Sequence, residues 1–155
     1  GQREQGFLNV MKKYPDIKIL SEKQRVDSSA GSALRIAGPL LKANREDLTG
    51  VFTVCEPNNK GMLQALEEAN LDGKVKFVAF DSDPRMIDGL KANTVYGVVL
   101  QNPVKMGHDS VKTMLKHLSG EKVESRIETG EELATPKNMT ETKIAELLRP
   151  KQFEG

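Results

Sequence analysis

The polar groups of this chain best suited to act on a small molecule stand at the ends of short apolar runs. Cys55 and Glu56 follow residues 50–54, Asp81 follows residues 75–80, Gln101 follows residues 96–100, and Arg25, Val26 and Asp27 come after residues 17–20. A carboxylate placed like Asp81, directly before a helix start, accepts two hydroxyls, and the amide of Gln101 donates and accepts at once. Arg3, in the first turn of the first helix, carries a planar fork that fits ligand oxygens. Each residue also has a plainer use: Asp81 or Asp83 as a helix cap, Gln101 as a turn residue before Asn102-Pro103, Arg3 as a solvated charge. From the residues alone both uses stay open.

Catalytic readings are weaker. Cys55 lies near a helix start, where a thiol pKa falls, yet no histidine occupies a strand-end loop to serve as its base, so it reads as small packing material. Glu56, Asp81 and Asp83 suit hydroxyl acceptance or capping better than metal binding. No glycine-rich phosphate loop, zinc helix or Ser-His-Asp set accompanies them. His108 and His117 fall on different faces of one helix and read as surface residues. No cofactor, metal or enzyme activity is expected.

Twenty-three basic side chains against twenty-two acidic ones leave a net charge of +1, so no global field draws in nucleic acid or an anionic membrane. The longest apolar runs are too short to span a bilayer, which argues against direct membrane insertion. A single cysteine rules out an intrachain disulfide, and residues 1–7 show no targeting pattern. The length fits one domain.

These residues must be positioned by an alternation of strands and helices. Phe7, Val10 and Met11 repeat at helical spacing until Tyr14-Pro15-Asp16 ends the segment, and residues 17–20 read as a strand. Asp27-Ser28-Ser29 caps a helix carrying Ala33, Leu34, Ala37, Leu40 and Leu41, which Pro39 should kink. Strands at 50–54, 75–80 and 96–101 then alternate with helices at 57–70, 84–91 and 103–118. Beyond Gly120 the pattern weakens: a strand at 123–129, an extended stretch at 133–136 and a short helix at 140–148 capped by Thr140. Such alternation implies an α/β, Rossmann-like parallel sheet with helices on both faces, with ligands at the carboxyl ends of the strands.

Taken in order, Arg3-Glu4-Gln5-Gly6-Phe7, then Val51-Phe52-Thr53-Val54-Cys55-Glu56 before a helix with Gly61-Met62, and Val78-Ala79-Phe80-Asp81 form a recognisable series. It continues through Val99-Leu100-Gln101-Asn102-Pro103-Val104-Lys105-Met106-Gly107, Leu118-Ser119-Gly120-Glu121-Lys122-Val123 and Thr135-Pro136-Lys137-Asn138-Met139. The series resembles the sugar-binding proteins of bacterial ABC importers, the periplasmic binding protein type I group related to ribose-binding protein. The resemblance implies sugar contacts for Arg3, Asp81 and Gln101. It also draws in Cys55, which replaces an asparagine of the family, the adjacent Glu56, and Val26, which falls where an aromatic side chain often stands.

The same resemblance implies a partial, two-lobed architecture in which this chain is the C-terminal half. Residues 1–101 form the ligand-binding lobe without its first strand, residues 102–129 a hinge crossing with a helix and strand packed on the other lobe, and residues 130–155 the return and tail. The implied partners are a monosaccharide-like ligand and the membrane permease of an importer, in a periplasmic or extracellular lipid-anchored setting. Apolar surface left uncovered favours dimerisation or swapping of the chain alone. An effector-binding domain of a lactose-repressor-family regulator, which shares the fold, and the sensor domain of a signalling receptor are the rival readings. The acidic helix after Thr135-Pro136-Lys137-Asn138-Met139 favours transport.

Overall fold

Three of the apolar runs pair side by side as parallel strands because helices carry the chain back across the sheet between them. The computed structural model describes residues 1–22, 24–27 and 29–150. Helices α1 (Gln2–Met11) and α2 (Ala30–Ala43) precede β1 (Gly50–Phe52), α3 (Glu56–Glu68), β2 (Lys76–Phe80), α4 (Pro84–Lys91), β3 (Gly97–Gln101), α5 (Pro103–Leu118), β4 (Glu131–Ala134) and α6 (Thr142–Leu148). The sheet runs β1-β2-β3-β4, with Val51 opposite Phe77 and Ala79 opposite Val98. The parallel sheet ends in one strand of opposite sense: β4 is antiparallel to β3, Val99 facing Leu133. The chain reaches β4 after the long excursion of α5, so no crossover helix forces it into the parallel direction.

Alternation along the strands sorts the side chains into two faces. Phe77, Ala79, Val98 and Leu100 point to one side and are buried with Leu41, Leu63, Leu66, Met86, Leu90, Ile144 and Leu148 from the helices. Gly61 permits the close crossing of α3 on α2: a Cβ there would lie 2.4 Å from the Ala30 carbonyl oxygen and 2.6 Å from the Ala33 Cβ. Phe52, Val78, Phe80 and Val99 point the other way and are half-buried. Helix α1 covers part of this second face, Phe7 stacking on Phe52 with ring centroids 4.8 Å apart. Helices therefore lie on both sides.

Proline and short polar side chains set several boundaries. Asp83 caps α4 by accepting from the Arg85 and Met86 amides at 2.7 and 3.2 Å, and Asn102 caps α5 by accepting from Lys105 N at 2.9 Å. Ser29 caps α2 by accepting from Ser32 N at 3.1 Å, and Asp27 in turn accepts from Ser29 N at 3.0 Å. The Ser29 hydroxyl lowers the Asp27 pKa from its ordinary carboxylate value. Ser28, the third expected cap, lies outside the described residues, as do residues 151–155 of the expected tail. Pro39 sits inside a continuous α2.

Three expectations are corrected. Residues 17–20 form no strand, and Ile17 and Ile19 stay exposed, because an apolar run becomes a strand only beside a partner that takes its hydrogen bonds. Residues 123–129 are likewise not a strand. Helix α6 is preceded by Glu141 without a side-chain cap, not by Thr140. Helix α5 buries none of its residues, leaving Val104, Val111, Met114, Leu115 and Leu118 exposed along it, with His108 and His117 at the surface.

Candidate functional site

Residues four apart share a helix face, so the ring stack that seats Phe7 on the sheet also brings Arg3, one turn earlier, over the strand ends. Its guanidinium carbon lies 3.8 Å from the centroid of the Phe80 ring. From that platform the fork reaches three consecutive strands. Nη1 donates to the Val54 carbonyl beyond β1 at 2.8 Å and to Asp81 Oδ2 beyond β2 at 3.2 Å. Nη2 donates to Gln101 Oε1 at the end of β3 at 2.7 Å.

The side chains of Arg3 and Asp81 are 35% and 34% exposed, so the pair is partly open to solvent and adds little to stability by itself. Among the described residues, Asp81 Oδ1 and Gln101 Nε2 take part in no hydrogen bond. One acceptor and one donor thus flank a charge that is already countered. That combination suits a neutral molecule with several hydroxyls better than an anion, which would meet the Asp81 carboxylate.

Asp81 also adopts a left-handed backbone, φ +71°, which a residue with a Cβ takes at a cost. The alternatives left open for the two aspartates are thereby divided. Asp83 is the buried cap, and Asp81 faces Arg3.

The remaining expected residues are placed differently. Cys55 is half-buried at the N-terminal boundary of α3, directly after Val54, and makes no side-chain cap bond. Glu56 turns along its own helix, accepting from Lys60 Nζ at 2.6 Å and raising the Lys60 pKa. Val26 is half-buried between α1 and α2 and, having no polar side chain, stays out of the network. Among the described residues no three His, Cys, Asp or Glu side chains are grouped to hold a metal ion.

Sequence reasoning missed two members. The Phe80 ring was legible, since alternation places it opposite the buried Phe77 and Ala79. Asn59 was legible as a polar residue on the apolar face of α3. Its side chain, with no exposure, accepts from Thr53 Oγ1 at 2.6 Å and donates to the carbonyls of Phe80 and Asp81 at 2.7 and 3.2 Å.

The model of the periplasmic binding protein domain family matches residues 1–122. The ribose import binding protein of Haemophilus influenzae is 29% identical over 126 residues, 81% of this chain and 41% of that protein. The fructose import binding protein of Bifidobacterium longum is 28% identical over 114 residues, 73% of this chain and 34% of that protein. Among solved structures, a carbohydrate transporter solute-binding protein from Agrobacterium radiobacter, in complex with D-arabinose, is 40% identical with a TM-score of 0.86. The match covers 95% of this chain and 50% of that one. An ABC transporter solute-binding protein from Agrobacterium vitis, bound with α-D-tagatopyranose, is 31% identical with a TM-score of 0.88, covering 95% and 49%. The chain thus spans about half the length of these solved structures and less of the curated relatives.

Proposed function

Since the chain belongs to the periplasmic binding protein domain family, we propose that it forms one lobe of the sugar-binding component of an ABC importer. The convergence of Arg3, Asp81 and Gln101 at three adjacent strand ends carries this reading. Similar chains crystallised with D-arabinose and α-D-tagatopyranose support a monosaccharide as the ligand class.

In this reading the guanidinium holds Asp81 and Gln101 in place before the ligand arrives, so little ordering remains to be done on binding. Sugar hydroxyls then donate to Asp81 Oδ1 and accept from Gln101 Nε2, while a second lobe closes over the opposite side. Cys55, one residue beyond the Val54 carbonyl, belongs to the rim of the same crevice. Val26 is the contribution of the segment before α2, an apolar contact in place of a ring. Glu56 reaches the ligand only when its pair with Lys60 opens.

Residues 1–101 and 130–150 form the ligand lobe, α6 returning to it through the buried Ile144 and Leu148 and through the Ser82 hydroxyl, which donates to the Leu148 carbonyl at 3.0 Å. Residues 102–129 leave it, and α5 carries its exposed apolar residues to the second lobe. The complete protein works outside the cytoplasmic membrane and delivers its ligand to a permease. A chain without the second lobe pairs with another copy through α5.

Calorimetry of the intact protein with D-arabinose, D-tagatose and D-fucose tests the reading. At least one should bind, Asp81→Ala should weaken it about tenfold or more, as loss of a charge-assisted hydrogen bond implies, and sugar acids should bind more weakly than neutral sugars. Failure of all three sugars to bind, or equal affinity in Asp81→Ala, overturns it.

A further inference from the structure

A fully buried asparagine is tolerated only when its amide is well satisfied, and the partners of Asn59 are unusual. Besides the bonds to Thr53 Oγ1, Phe80 O and Asp81 O, its Oδ1 accepts from Phe80 N at 3.4 Å. The side chain therefore ties the end of β1 to the end of β2. Every tied residue is, or adjoins, a group that Arg3 touches: Thr53 precedes Val54, Phe80 supplies the ring, and Asp81 supplies the carboxylate.

The backbone at Asp81 gives this tie a purpose. Among the described residues, two other non-glycine residues have left-handed φ, Asn70 and Asn93, and each directly follows the C-cap of a helix, where that conformation is routine. Asp81 follows a strand instead, so its φ of +71° belongs to no helix end, although an aspartate enters the left-handed region more readily than most residues. The Asp81 amide donates to the Val99 carbonyl at 2.9 Å, and the Asn59 amide holds its carbonyl from the other side.

We propose that Asn59 is a positioning residue for the ligand site: its amide locks Asp81 in the left-handed conformation that turns the carboxylate toward Arg3 and the crevice. The proposal rests on the reading of Asp81 as a ligand contact. Without the amide, Asp81 returns to the extended region that suits a residue leaving a strand, and its carboxylate leaves Arg3.

The test is a crystal structure of the Asn59→Ala chain together with a double-mutant cycle on D-arabinose binding by the intact protein. The structure should show Asp81 at negative φ with the Arg3–Asp81 contact broken; φ near +71° with the contact intact overturns the proposal. Asn59→Ala should weaken binding about tenfold in the native background and less than about twofold in an Asp81→Ala background. Equal losses in both backgrounds would make Asn59 a core residue without this role and overturn the proposal. Should Asn59→Ala fail to fold, Thr53→Val with Asn59→Leu replaces the polar pair by an apolar one of similar shape and leaves no hydroxyl orphaned. If no sugar binds the native protein, the ligand reading fails, and the Asp81 backbone in the variant structure still decides the role of Asn59.

Discussion

Replacing Arg3 by Lys keeps the charge and removes the fork, which makes it a sharp probe of how the site is organised. Arg3 makes three hydrogen bonds, to Val54 O, Asp81 Oδ2 and Gln101 Oε1, and sits over the Phe80 ring. A lysine ammonium satisfies one of the two side-chain acceptors and leaves the other unfixed. Because the pair is about a third exposed, the folded state loses only about 0.5–1 kcal/mol. Ligand binding loses more, since Asp81 and Gln101 must then be ordered by the sugar itself. One charge-assisted bond is worth about 1.5–3 kcal/mol, which corresponds to roughly 10–150-fold in Kd. Calorimetry and urea denaturation on the same Arg3→Lys preparation separate the two effects. An affinity within about twofold of the native protein would refute the reasoning, as would a loss of stability as large as the loss of binding free energy.

Other outcomes follow from the packing and charges. Gly61→Ala should destabilise the chain by about 1–3 kcal/mol in denaturant unfolding, because its Cβ meets backbone of α2 at 2.4 Å and neither helix can yield cheaply. Leu66→Ala, at a fully buried position, should cost about 2–5 kcal/mol in the same assay. Leu115→Lys should change the stability of the monomeric chain by less than about 0.5 kcal/mol, since Leu115 is 62% exposed, yet weaken the proposed pairing of α5 with a second lobe or a second copy measurably. The hydrogen bond from Lys105 lowers the Asp109 pKa, so this pair supports α5 above the ordinary carboxylate range and the support is lost as pH falls through the lowered value. A carboxyl titration by NMR should show Asp109 moving up in Lys105→Met; an unchanged midpoint would contradict the assignment.

Much of the fold was legible because its boundaries are written in local chemistry. Helices α4 and α5 begin at prolines preceded by capping side chains, Asp83 and Asn102, and occupy the residues expected of them. The direction of β4 was not legible: four residues alternate the same way whether they run parallel or antiparallel, and only the path after α5 decides. Residues 17–20 carry a strand-like pattern that needs a neighbour to become a strand. At the site, Asp81 and Gln101 could be picked out because carboxyl ends of parallel strands converge. Arg3 required the resemblance, since an arginine near a chain start is otherwise unremarkable. The contact of Glu56 with Lys60 is a four-residue helix spacing and could have been read as such. The Asp81 backbone conformation could not, because it depends on Asn59, twenty-two residues earlier in the chain.

A crystal structure of the intact protein with D-arabinose tests the assignment of Arg3, Asp81 and Gln101 to one sugar site most directly. One sugar is expected, with hydroxyls within about 2.7–3.2 Å of Arg3, Asp81 and Gln101 together. A sugar bound elsewhere, with those three side chains still joined only to one another, would contradict it.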